Sequence, residues 1–205
     1  MKNAETYTFK VTLFGALSGL GSALMAELLK RQHEVIVIID DLNQLAPRPG
    51  LHCKYGGLKD TDQAEQSVAG SSAVICLLPA LAPDDPRAQL HCVHALLDGM
   101  SRTTIRRLLL VGDFSVLEHP DQHSEQQRQC IGHMVDLLQR STLQWTLINA
   151  PQEVAGLGIE HFHHTHGTLE PGLAEPLQRL SRIAAGMADT LELKLHQGEH
   201  VNFVL

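Results

Sequence analysis

Two hydrophobic periods alternate along the chain. Lys10 to Phe14 (KVTLF) is a short apolar run that ends at a glycine. From Ser18 to Arg31, Leu20, Leu24, Leu28 and Leu29 recur at helical spacing. Glu34 to Ile39 (EVIVII) is a near-continuous β-branched run, the pattern of a strand buried on both faces. Leu51 to Tyr55 reads as a weaker third strand and Asp62 to Ala69 as a short helix. Ala73 to Leu78 (AVICLL) reads as a fourth strand closed by Pro79. The rhythm continues with a loop at Pro83 to Pro86 and a helix over Ala88 to Met100 carrying Leu90, Val93, Leu96 and Leu97. A strand follows over Arg107 to Val111 (RLLLV), stopped by Gly112. Gln126 to Arg140 predicts a helix with Ile131, Met134, Val135 and Leu138 inward. Gln144 to Ile148 (QWTLI) predicts a sixth strand, with Trp145 in the core. A loop rich in His and Gly runs to about Gly172. Glu175 to Leu193 is an amphipathic helix, and His200 to Leu205 a last strand.

Strands alternating with helices imply βαβ units and a parallel sheet. The expected fold class is therefore α/β, a Rossmann-type doubly wound parallel sheet. The 205 residues suit a single domain. The stretch 151–205 is too short for a core of its own and is expected to cap the substrate side.

Charge narrows the possibilities. With 23 acidic against 16 basic residues the net charge is −7, and no basic block exists to grip a nucleic-acid backbone. Arg102, Arg106 and Arg107 are the nearest to one, and they read as a solvated helix-to-strand corner. The four cysteines (Cys53, Cys76, Cys92 and Cys130) form no CxxC pair and show no zinc spacing, so reduced thiols are expected. The N-terminus MKNAETYTFK has no apolar signal core, and no apolar run reaches the roughly 20 residues of a membrane span. A cytoplasmic protein is expected.

The candidate chemistry lies after the first strand, in Gly15-Ala16-Leu17-Ser18-Gly19-Leu20-Gly21. A glycine-rich strand-to-helix turn can bring backbone N–H groups and a helix N-terminus against a pyrophosphate. Gly15 would make the tight turn, Gly19 would admit the ligand, and Gly21 would let helix and strand approach. Ser18 would offer its hydroxyl to a phosphate oxygen. About 20 residues further on, Asp40, with Asp41 beside it, ends the second strand, where a carboxylate can accept the hydroxyls of an adenosine ribose. It would repel a 2′-phosphate, and the nearest downstream base is Arg48. NAD is therefore favoured over NADP.

These residues resemble the short-chain dehydrogenase/reductase superfamily, and most closely its small atypical branch of NmrA-like and flavin-reductase-like NAD(P)-binding proteins. The resemblance rests on VTLFGALSGLGSALMAELLKRQHEVIVIIDD, GGLKD, AVICLLP, RRLLLVGDFSVLE, LQWTLINAP and SRIAAGMADTLE. It implies that the glycine turn holds the pyrophosphate and Asp40 sets specificity. It further implies that Gly57 and Leu58 contact the adenine, that Leu77, Leu78 and Pro79 line the ribose and nicotinamide side, and that Gly112, Asp113 and Ser115 stand beside the nicotinamide. A homodimer is common among such proteins. The catalytic members carry a Tyr-x-x-x-Lys pair. Here Arg128 and Gly132 stand at those positions, and the tyrosines Tyr7 and Tyr55 lie far upstream.

Without that tyrosine, an acid or base has to come from His, Asp or water. Asp113 and Ser115 with His119 or His133 could form such a group. No GxSxG elbow supports a serine hydrolase. His161, His163, His164 and His166 read as a solvated or lid loop rather than a metal site. Two functions follow as expectations. The first is an NAD(P)H-dependent reductase passing hydride to a flavin, quinone-like or small carbonyl acceptor. The second is a non-catalytic dinucleotide sensor that binds a protein partner.

Overall fold

The computed structural model describes residues 8–150, 157–163 and 172–203. Seven strands form one parallel sheet: β1 (Lys10–Phe14), β2 (Glu34–Ile39), β3 (Leu51–Tyr55), β4 (Ala73–Leu77), β5 (Arg107–Gly112), β6 (Gln144–Asn149) and β7 (Glu199–Asn202). Their order is β3-β2-β1-β4-β5-β6-β7. The order reverses between β1 and β4, so the loops at their carboxyl ends diverge and leave a crevice.

Alternation along the strands divides the core in two. Val11, Leu13, Val35, Val37, Ile39, Ile75 and Val111 face α1 (Gly19–Lys30), α6 (Ile159–His163) and α7 (Ala174–Glu192). Phe14, Ile36, Ile38, Val74, Cys76, Leu108 and Leu110 face α2 (Thr61–Val68), α4 (Pro86–Ser101) and α5 (Glu125–Arg140). Helices on both faces explain why the strands read as apolar runs rather than half-polar ones. Trp145 is half-buried against the second of these cores.

The structure departs from the sequence reading in four places. Pro79 does not close β4. It opens α3 (Leu78–Leu81), a single turn in which its missing N–H costs nothing because first-turn amides have no helical acceptor. The His- and Gly-rich stretch contains α6. Residues 174–202 are not a cap: α7 lays Leu177, Leu180, Ile183, Ala184, Met187 and Leu191 into the core beside α1, and β7 pairs in parallel with β6. That apolar stripe spans the whole helix, and only the sheet offers a surface long enough to bury it.

The fourth departure is Arg107, which is buried rather than solvated (6% exposed). As the first residue of β5 it points to the α7 side. Its guanidinium donates to Gln144 O and Thr146 Oγ1 at 2.8 Å, to Thr190 O at 3.1 Å and to Leu195 O at 3.0 Å. Burial lowers its pKa to about 10, so it stays charged near neutrality. A cation here also meets the negative end of the α7 dipole. Arg107→Met leaves these acceptors unpaired, and we expect a loss of about 2–4 kcal/mol in urea unfolding.

His200 of β7 stands edge-on to Phe114, with ring centroids 6.3 Å apart, and its Nε2 is buried without a partner. Burial lowers its pKa from 6.5, against a weaker opposing effect of Glu118. The unfolded chain therefore takes up the proton first. Stability should be constant above the unfolded value, fall as pH drops through it, and level off below the folded value. Unfolding midpoints of the wild type and His200→Gln between neutral and mildly acidic pH will show this, with a shallower acid decline in the variant.

Candidate dinucleotide site

The turn between β1 and α1 is built by its glycines. Gly15 has φ +80°, the left-handed region, and a Cβ there would lie 2.8 Å from Ala80 Cβ and 3.0 Å from Leu77 Cβ. A Cβ on Gly21 would lie 2.1 Å from Gly15 O. Gly21 thus allows the helix to meet the turn itself, rather than the strand as the sequence reading had it. Ser18 caps α1: its Oγ accepts from Gly21 N at 3.1 Å and donates to Gly15 O at 2.9 Å. Its single hydroxyl proton is thereby engaged in closing the turn, not in reaching outward to a phosphate. The amides of Gly19 and Leu20, in the first turn, have no intrahelical acceptor. A cradle too tight for any Cβ, with amides at a helix N-terminus, fits a pyrophosphate.

Two cavities flank this turn along the carboxyl ends of the strands, and Pro79 borders both. The first, of about 570 Å³, is lined by Gly15, Leu17, Ser18, Asp40 and Gly57 from the expected set. Gln44, Gly56, Ala80 and Leu81 also line it and were missed. Gly56 was adjacent to an expected residue, and its reason is steric: a Cβ would sit 2.4 Å from Ser67 Oγ. Ser67, buried on α2, accepts from Gly57 N at 3.1 Å and holds that loop against the cavity.

The second cavity, of about 540 Å³, is lined by Leu20, Leu77, Gly112 and Asp113 from the expected set. Asp84, Gln89, His123 and Gln127 add polar groups to it that no sequence signal singled out.

The remaining expected residues lie elsewhere. Gly19 and Gly21 are buried in the first turn of α1. Leu58 and Leu78 are buried in the core on the α2 side, so their side chains do not face the crevice. Asp41 turns back on its own loop, accepting from Asn43 N at 2.9 Å and Asn43 Nδ2 at 3.0 Å. Arg48 lies away from Asp40, ion-paired to Glu160 beside a third cavity. His161 and His163 fall on α6, whereas His164 and His166 lie outside the described residues. No cluster of three metal-ligating side chains occurs among those described.

The Ser115 side chain does not pair with the imidazole of His119 or His133. Its partner is His123, with Nε2 3.0 Å from Ser115 Oγ, while Ser115 also bonds Asp113 Oδ1. His133 instead stands edge-on to His94. The loop bends back on itself through two short turns, Ser115–Leu117 and Pro120–Gln122, and this brings His123 to Ser115.

A doubly wound sheet with a glycine cradle at its switch point and an acid at the end of β2 defines a dinucleotide-binding protein. Residues 15–155 match the NAD(P)H-binding family, and the chain belongs to it. No curated protein matches the chain.

Solved structures share the fold. One is a Bacteroides thetaiotaomicron protein provisionally described as an epimerase (TM-score 0.68, 19% identity, 96% of each chain covered). Another is a wide-type short-chain dehydrogenase/reductase from Veillonella parvula in complex with NADP (TM-score 0.65, 15% identity, 95% of this chain and 94% of that one). A third is a Streptococcus pneumoniae protein provisionally described as an NADH-flavin reductase (TM-score 0.63, 21% identity, 95% and 98%). No helix among the described residues is long and apolar enough to cross a membrane.

Gly21→Ala forces a Cβ into the Gly15 carbonyl. Fluorescence titration with NADH should show binding weakened at least about tenfold, and the unfolding free energy should drop by about 1–3 kcal/mol.

Proposed function

We propose that this protein is an NADH-dependent reductase that passes hydride to a flavin, quinone-like or small carbonyl acceptor. The observation that carries this reading is the second cavity. A dinucleotide laid from Asp40 across the glycine turn would bring its nicotinamide toward Gly112, and a space of about 540 Å³ with a mixed polar and apolar lining adjoins that end. When bound, the reduced nicotinamide supplies the hydride; the protein supplies orientation and electrostatics. In this reading the Gly15–Gly21 turn holds the pyrophosphate, Asp40 the adenosine ribose, and Gly112 and Asp113 border the reacting end.

Asp40 and Gln44 line the adenosine cavity, and no Lys or Arg does so among the described residues. A 2′-phosphate there would face a carboxylate without a counter-cation, which supports NAD over NADP. The absence of a tyrosine on α5, where Arg128 and Gly132 stand, favours a second reading as a dinucleotide sensor.

Titration with all four nucleotides separates the cofactors. NADH should bind at least about tenfold more tightly than NADPH, and Asp40→Ser should narrow the gap. A preference for NADPH would sink the assignment of Asp40. Oxidation of NADH in the presence of FMN, menadione or phenanthrenequinone tests the reductase reading, and binding without turnover would favour the sensor.

A further inference from the structure

The acceptor cavity contains an imidazole whose proton positions are dictated by its neighbours. A carboxylate can only accept hydrogen bonds, and a serine hydroxyl has one proton. The Ser115 proton therefore lies toward Asp113, and His123 Nε2 must be the donor to Ser115 Oγ at 3.0 Å. This leaves Nδ1 as the atom that exchanges a proton, and it has no protein partner among the described residues. The same Asp113 Oδ1 also accepts from Ser115 N at 3.1 Å, which adds to the rigidity.

The loop is fastened from a second side. Arg128 Nη1 donates to His123 O and Pro120 O, both at 3.1 Å, while its Nε bonds Glu125 at 3.1 Å. Arg128 thus occupies the α5 position expected for a catalytic tyrosine and grips the backbone that carries the imidazole.

We propose that His123 is the proton donor of the acceptor cavity and that the acceptor is a ketone, aldehyde or quinone reduced at its carbonyl group. Ser115, Asp113 and Arg128 are positioning residues. The proposal rests on the reductase reading above. In the step, hydride adds to the carbonyl carbon, the C=O π pair moves onto oxygen, and the Nδ1–H bond of the His123 imidazolium breaks as the new O–H bond forms. Neutral His123 keeps Nε2–H on Ser115 and regains its Nδ1 proton from water. A carbonyl oxygen needs such a proton as charge develops on it, and positioned general acids contribute about 10²–10⁴-fold.

Long-range ¹H–¹⁵N NMR on the protein without cofactor reads the tautomer directly. His123 should be the Nε2–H form in the wild type and shift toward a mixture in Ser115→Ala. An Nδ1–H form in the wild type, or no response to Ser115→Ala, overturns the proposal.

Kinetics with NADH and phenanthrenequinone provide the second readout. His123→Gln should lower kcat about 100-fold while changing NADH affinity less than about twofold, and added imidazole should restore part of the rate. Ser115→Ala should lower kcat about tenfold. An unchanged kcat in His123→Gln overturns the role of His123 and leaves the reductase reading intact. Failure of the wild-type chain to bind NADH or to reduce any acceptor overturns both.

Discussion

The approach of α1 to the turn after β1 is the contact on which the site depends. With no Cβ on Gly21, the helix N-terminus seats against the Gly15 carbonyl. Gly15 can do so because it adopts a left-handed φ of +80°. Ser18 then bonds both ends of the turn and locks it. A larger residue at either glycine would push the helix away and lose the cradle of amides. The β2 acid and the Gly56–Gly57 loop matter only because this turn lies between them and the β4–β5 end.

The two edges of the sheet are built differently. At the amino-terminal edge, paired polar groups, with Arg107 and His33 buried, tie distant elements together. Arg107 links β5, β6 and the end of α7. His33, 3% exposed, accepts from Phe9 N at 3.2 Å and pairs with Glu192 at 2.8 Å. Arg31 joins Glu27 and Asp189 at 2.8 and 2.7 Å. Leaving the buried Arg107 or His33 unpaired would be costly, so this edge is fixed. The carboxyl-terminal edge carries the loops that line the two cavities. Binding groups gather there on a scaffold made rigid elsewhere.

The loop from Gly112 to Ser124 is shaped by a local hydrogen-bond network. Where an α5 tyrosine would project, Arg128 pins the loop backbone, and the loop presents His123 to Ser115 and Asp113. The Phe114 amide bonds Asn149 Oδ1 at 3.0 Å, anchoring the loop root to the end of β6. The local hydrogen-bond network therefore couples β5, β6 and α5 at the point where an acceptor would rest.

Much of the fold was legible because its causes are local. Buried parallel strands need unbroken apolar runs, α1 needs its cap and periodic leucines, and a left-handed turn needs glycine at position 15. Those requirements act between neighbours in sequence, so the strands, the glycine turn and the acid at Asp40 could be read directly. What the chain order could not reveal depends on partners brought together by folding. Arg107 looks like a solvated base until α7 covers it. Leu58 and Leu78 sit beside the crevice in sequence, yet strand alternation and helix packing send their side chains to the core. The choice of His123 over His119 and His133 is made by two short turns and by Arg128, eight residues after Pro120 in the first turn of α5. Burial and hydrogen-bond partners are properties of the assembled layers, and only the tertiary structure decided them.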